Sequence, residues 1–463
     1  MNTKKTEPEV SAAQDRNSMI SGNIARSLIV FALPMIIGNL FQQFYNIVDT
    51  IIVGKVLGQD ALSAVGSTSM IVTVYVSVAV GFAVGCLIVF SQLYGAKNYL
   101  RMKTAIYTAL ITFLALGIFF MILGLAISKP ILNVVVNDAL MQEGSTYYNL
   151  YVLGVPALFI YNIANSGFNS LGKSRITLIL LGGTSILNVI LDLWFIMGLG
   201  WGVAGAAIAT DISQYLSAVI ALVLLLRHIH LNFKTEEEIK MFEWRLLGNM
   251  SKVAIPTMLA QVIVSVGYVA LTSLVNRFSV DVISGYVAAS KIDSICVVPM
   301  VQIGNSMATY TGQNVGAQKY ERIPKGLKTA LLLCACICAV FIVLIFIFGH
   351  TFIGWFMDST VSEAAYTAGV QYMRITGALY FLMGSMYIIC GVIRGAGAAM
   401  VSVIATVCNF SVRIAFAYIM VAVTGSELAI WWSNPVGWAV ALTISFLYYK
   451  SGRWKTKRLA DKV

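Results

Sequence analysis

The feature that most restricts this chain is a succession of apolar stretches, each close to the roughly 20 residues a helix needs to cross a bilayer. Twelve are read, at about residues 27–54, 61–91, 104–127, 147–171, 176–198, 203–226, 249–276, 283–311, 327–349, 364–393, 399–423 and 430–449. Lipid offers no partner for backbone polar groups, so uninterrupted stretches of this length are expected to span as helices. Only 11% of the 463 residues are charged, against about 25% in a soluble domain. The expected fold is an all-α polytopic membrane protein: twelve transmembrane helices in two pseudo-symmetric six-helix bundles.

Lysine and arginine set the orientation. Segments on one side of the membrane hold 25 of the 31, and three (Lys55, Lys129, Arg277) fall in loops on the other. By the positive-inside rule both termini are expected in the cytoplasm. The net charge of +11 is thus a topological signal and calls for no nucleic acid. Residues 1–26 are polar, with no apolar core before a small-residue cleavage site. The expected organisation is a cytoplasmic tail (1–26), an N-terminal lobe (27–226), a linker (227–248), a C-terminal lobe (249–449) and a basic tail (450–463).

The two halves repeat. Gln92-Leu93-Tyr94-Gly95-Ala96-Lys97-Asn98-Tyr99-Leu100-Arg101 aligns with Gln313-Asn314-Val315-Gly316-Ala317-Gln318-Lys319-Tyr320-Glu321-Arg322 at Gln, Gly, Ala, Tyr and Arg, and Ala32-Leu33-Pro34 with Ala254-Ile255-Pro256. An even number of spans per half makes such repeats parallel, about an axis along the membrane normal.

Several motifs carry no chemistry in this setting. Gly167 to Ser174 fits the phosphate-loop pattern but lacks the strand that loop requires. Gly200-Trp201-Gly202-Val203-Ala204-Gly205 fits the dinucleotide fingerprint but follows an apolar helix, with no acid about 20 residues on. Gly81/Gly85 and Gly391/Gly395 are spaced for close helix contact. The seven cysteines lie in apolar segments, and the i, i+2 spacing of Cys334, Cys336 and Cys338 does not suit one metal. His228-Ile229-His230, ahead of Glu236-Glu237-Glu238, reads as a solvated loop.

The ionisable groups inside the spans are expensive, and so are functional candidates. Asp49 shares a helical face with Asn46 and Gln42. With the topology above, Asp49, Asp192 and the pair Thr210 and Asp211 fall at similar depth, and Asn188 lies one turn from Asp192. Three carboxylates, an amide and a hydroxyl, with no Lys or Arg inside a span of that half, have the composition a small hard cation or a proton needs. The second half differs: Lys291, Asp293, Arg374 and Arg413 give three bases to one acid, so it is expected to serve as a polar or substrate-facing region or as a buried ion pair.

Taken together, Leu33-Pro34 with Asp49, Gln92 with Gly95-Ala96, Gly205-Ala206-Ala207 with Ala209-Thr210 and Ile212-Ser213-Gln214, and Gln313-Asn314 with Gly316-Ala317 resemble the multidrug and toxic compound extrusion (MATE) family, over roughly residues 20–450. The resemblance implies an antiporter, not an enzyme. It would export amphipathic, often cationic compounds in exchange for Na⁺ or H⁺, with no further cofactor, as a monomer in the cell membrane. It places the coupling site, and any Na⁺, on Asp49, Asn188, Asp192 and Thr210, with Gln42, Asn46 and Asp211 as accessory groups. Phe41, Tyr45, Gln42 and Met70 are plausible cavity lining. One branch of the family adds a Glu in helix seven and an Asp in helix ten; here those helices carry Gln261 and Tyr268, and Arg374. A flippase for lipid-linked saccharides is the alternative, supported by the basic residues of the second half. A membrane-embedded enzyme or a channel fits less well.

Overall fold

The apolar stretches are helical, and the helices outrun the expected spans at most ends. The structure, a computed structural model, describes residues 18–233, 237–357 and 362–461. Expectations for residues 1–17, for Glu236 within the linker and for the last two residues of the basic tail lie outside the described residues.

In the first half α1 (Ile24–Ile52) starts at Asn23, whose side chain accepts the Arg26 N–H, and contains Pro34. It runs into a π-helical turn, Val53–Leu57. Then follow α2 (Gln59–Gly95), α3 (Tyr99–Ala126), the short α4 (Ser128–Val135), α5 (Met141–Leu153), α6 (Val155–Ser170), α7 (Ser174–Asp192) with a second π turn at Leu193–Gly198, and α8 (Gly202–Asn232). The second half holds α9 (Trp244–Val275), α10 (Val280–Gly316), α11 (Arg322–Gly354), α12 (Glu363–Ala378), α13 (Tyr380–Gly395), α14 (Ala399–Thr424) and α15 (Leu428–Lys450).

Two expected spans are broken. The fourth is the pair α5–α6, bent by 46°, and the tenth the pair α12–α13, bent by 48°. The first break falls at Gly154-Val155-Pro156, where Pro156 has no N–H to continue the ladder; the second follows Gly377. Among the described residues nine helices are long and apolar enough to cross a membrane, and the bent pairs raise this to eleven. The twelfth, α15, has the length (23 residues), but Trp431, Trp432, Asn434, Pro435 and Trp438 dilute its hydropathy. Two further expectations are corrected. His228 and His230 are in the last turns of α8 and not in a loop, and α4 was not foreseen.

The bundles meet at the end that carries the basic loops. Gly81 lies on the backbone of Met258 and Gly85 on that of Ala254. A side-chain carbon at Gly95 would strike the Gln313 carbonyl, and one at Gly316 the Gln92 carbonyl. The repeated glutamines make the same bond in mirrored roles: Gln92 Nε2 donates to the Gly395 carbonyl (2.9 Å) and Gln313 Nε2 to the Ser170 carbonyl (2.7 Å). Chain ends reinforce this junction. Asn314 Nδ2 donates to the Met19 carbonyl, Arg322 to that of Gly22, Arg458 to that of Gly316, and the Leu459 N–H to Gln92 Oε1 (2.7 Å). Gly391 and Gly395 pack on α10 within the second bundle. Towards the other end Phe41 and Phe44 of α1 and Tyr268 of α9 are exposed.

Candidate functional site

A helix that touches both bundles is the natural place for a charge whose state must be felt by each, and α1 is such a helix. It packs on α7 within its own bundle and on α10 and α11 of the other. Near its start Met35 lies under Ser306 of α10; near its end Asp49 turns, half-buried, towards α7. Asn46 and Gln42, one and two turns earlier, are exposed. Two polar side chains at that depth belong against water in the cleft, not lipid.

Asp192, the last residue of α7, is fully buried, and Asn188 one turn before it is 3% exposed. Asn188 joins α7 to α8. With its amide oriented to give both atoms a partner, nitrogen donates to Asp192 Oδ2 (3.1 Å) and oxygen accepts the Thr210 N–H (3.3 Å). Asp49 and Asp192 lie close enough for their charges to act on each other. Each has one buried oxygen, Oδ1, with no hydrogen-bond partner. Buried polar atoms are normally satisfied, so two orphaned carboxylate oxygens beside an amide and a hydroxyl fit an oxygen-coordinated hard cation or a proton. Asp192 stands directly before a π turn and Asp49 one turn before the other, a local distortion that recurs at functional sites. Four of the expected residues, Asp49, Asn188, Asp192 and Thr210, are thus brought together.

Two tyrosines of α5 were not foreseen, one beside this pocket and one beside Asp211. Tyr147 (8% exposed) stacks on Tyr151 at 6.1 Å and sits within electrostatic reach of Asp49, Asp192 and Tyr45. Asp211 departs from the expected grouping. Its carboxylate is wedged against Gly154 at the α5–α6 break, beside Tyr151 and Tyr215, in a different interface. Depth put it with the others, but adjacent residues on a helix point about 100° apart. Met70 lines an apolar groove with Val74, Phe120, Leu123 and Ile131.

The second-half set does not gather either. Lys291 is exposed; Arg374 is exposed and lies over the Phe346 ring at 5.6 Å. Asp293 accepts from Tyr380 Oη (2.5 Å) and feels Arg413, which is 5% exposed and stacks on Tyr268 (5.3 Å) and Phe410 (5.4 Å). Arg413 and Asp293 are not among the contact ion pairs of the described residues. No group of three His, Cys, Asp or Glu side chains positioned for a metal occurs among the described residues.

Comparison with known proteins agrees with this architecture. The chain is 27% identical over 440 residues to the "Probable multidrug resistance protein YpnP" of Bacillus subtilis (strain 168), covering 95% of this chain and 97% of that one. It is 25% identical over 342 residues to an "FAD transporter" of Shewanella oneidensis, 72% and 74% covered. A solved structure described as the outward-facing conformation of a multidrug resistance MATE family transporter superposes with a TM-score of 0.87 at 22% identity, covering 94% of this chain and 97% of that one. The MatE family model matches residues 34–194 and 256–419, one segment in each bundle, and the chain belongs to that family, the multidrug and toxic compound extrusion (MATE) transporters.

Proposed function

We propose that this chain is a secondary antiporter that exports amphipathic, often cationic compounds in exchange for Na⁺ or H⁺. The observation that carries the reading is the pair Asp49 and Asp192: two carboxylates in mutual reach, each with an unpartnered buried oxygen, one of them on the helix that packs against both bundles. A cation entering there competes with a cationic solute for the same negative field. Its binding draws the end of α1 towards α7, and Pro34, which leaves one backbone carbonyl without its usual donor, gives α1 a place to bend. If each ligand prefers a different global state, the coupling is reciprocal and suffices for exchange. One charge crossing 100 mV adds roughly 2.3 kcal/mol.

In this reading the basic-loop end is cytoplasmic, both termini are inside, residues 27–226 and 249–449 are the two lobes, and the monomer works in the cell membrane. The described state, closed at the basic-loop end, is then outward-facing. The relative named as an FAD transporter leaves room for solutes that are not cations. The flippase alternative loses support, because Lys291 and Arg374 are exposed, Arg374 over Phe346, while Arg413 is buried on Tyr268 and Phe410.

The test is efflux of rhodamine 123 from proteoliposomes under imposed Na⁺ or pH gradients, wild type against Asp49→Asn. Gradient-driven efflux that the substitution abolishes is expected. Efflux indifferent to both gradients removes the antiport reading.

A further inference from the structure

The second bundle contains two arginines that the scheme above leaves unused. Arg394 is the penultimate residue of α13, at the basic-loop end. A long basic side chain there normally reaches the nearby interface, stem in apolar surroundings and charge in water. This one turns the other way. Its guanidinium donates to Asn305 Oδ1 of α10 (3.4 Å), and Gly304 of α10 is level with Tyr387 and Gly391, one to two turns deeper than Arg394 itself. Arg413, on the antiparallel α14, comes from the opposite direction. Side chains lean towards the start of their own helix, so arginines on antiparallel neighbours can converge, and both act on Tyr387.

Neither guanidinium makes an ion pair among the described residues, both Nε atoms are buried without a partner, and Arg413 is 95% buried. Hydrogen bonds to the Tyr387 hydroxyl are also absent among the described residues. No carboxylate acts on Arg394; its polar company is Asn305, itself bonded to Gln302. Asp293 acts on Arg413 without touching it, so of the two charges that of Arg394 is the one left unmatched; buried positive charge without a counter-charge is costly, and several donors brought near one hydroxyl suit an oxyanion. Access lies beside Tyr268, which is half exposed, carries Arg413 on its ring, and lies on the face of α9 that begins at Ala254 and Met258, about three turns along.

We propose that Arg394, Arg413, Tyr387 and Asn305 form an oxyanion subsite that holds the carboxylate or phosphate of an aromatic or apolar solute, across the cleft from Asp49 and Asp192. The exporter reading above gains from it a solute class, acidic or zwitterionic amphiphiles. Equilibrium binding tests it without a gradient, so its failure and that of the antiport reading are separable.

The experiment measures fluorescence anisotropy of two dyes that share a xanthene frame, anionic fluorescein and cationic rhodamine 123, on the full chain in phosphatidylcholine nanodiscs. Arg394→Gln is expected to weaken fluorescein roughly tenfold or more and to leave rhodamine 123 within about twofold. Arg394→Lys, which keeps the charge but not the fork, should fall between. Repeating the measurement with phosphatidylglycerol in the nanodisc identifies the source of the oxyanion. A wild-type advantage over Arg394→Gln that shrinks in phosphatidylglycerol supports the subsite with a lipid phosphate as occupant, and an advantage that is unchanged supports it with a soluble solute. Fluorescein binding that is undetectable in the wild type, or equal in wild type and Arg394→Gln, overturns the proposal.

Discussion

The closure of the basic-loop end can be tested at the two glutamines that repeat in the sequence. Gln92 reaches from α2 to the end of α13, and Gln313 from α10 to the end of α6, so each bond links one bundle to the other. Both glutamines are buried, at 0% and 2% exposure, and neither receiving carbonyl would have water at hand if its donor were removed. The double variant Gln92→Leu/Gln313→Leu keeps the volume and removes both bonds. A buried hydrogen bond contributes about 1 kcal/mol net, and an abandoned acceptor costs about 1–3. Two such sites therefore shift the equilibrium away from the closed end by about 2–3 kcal/mol, roughly 30- to 150-fold. The bonds exist only while the bundles touch there, so their loss destabilises that state and leaves the other unaffected. Spin labels on cysteines placed at Arg175 of α7 and Met400 of α14, exposed residues near that end in different bundles, report the separation by pulsed dipolar spectroscopy once the accessible Cys336 and Cys408 are replaced. A longer distance, or a new long component, is expected. An unchanged distribution in a well-folded double variant would refute the idea that these bonds hold the end shut.

Two further outcomes follow from the ionisable groups. Na⁺ should protect the purified wild type against thermal unfolding, by about 2.7 kcal/mol when Na⁺ is at a hundredfold excess over its dissociation constant, and Asp192→Asn should lose that protection; equal protection of both proteins counts against the site. In the second bundle Arg413→Gln strands Asp293 without its nearby cation and should cost about 3 kcal/mol of stability, whereas Arg374→Gln, at an exposed position, should stay within about 0.5 kcal/mol. Similar melting temperatures for the two variants would mean that Arg413 does not stabilise the buried carboxylate.

What could be read from the residues alone was set by periodicity and depth. Span limits, the repeat and the association of Asp49 with Asn188, Asp192 and Thr210 follow from counting residues along helices of known direction. Depth fixes a level but not an azimuth, which is why Thr210 sits with the group and its neighbour Asp211 faces Gly154 instead. The bends were hidden because Gly154-Val155-Pro156 lies within a continuous apolar run, and a run of apolar residues does not reveal a change of axis. Tyr147 and Tyr151 escape such a reading because aromatic residues are ordinary in these helices, and only the packing of α5 puts Tyr147 beside Asp49 and Asp192 and Tyr151 beside Asp211. Arg394 is one of the 25 basic residues on the inner side, and a count by segment does not show that its side chain turns back along α13 to Asn305. The glutamines were visible as a repeat, yet which carbonyls they meet depends on how the bundles dock.

The repeat also explains why the halves carry different charges. Asn188 is the fifteenth residue of α7, and Arg413 is the fifteenth residue of α14, the fifth helix of its own half if each bent pair is one. A neutral amide beside a carboxylate leaves room for a charge that arrives and departs. A guanidinium in the corresponding place supplies a positive charge that is covalently attached and cannot leave. Asp293 therefore has a permanent neighbour of opposite sign, while Asp49 and Asp192 have only each other. Under the proposed exchange the coupling ion then binds in the first bundle alone, and each turnover moves the charge that one pocket can hold. The second bundle, with its positive charge fixed, is left to distinguish solutes.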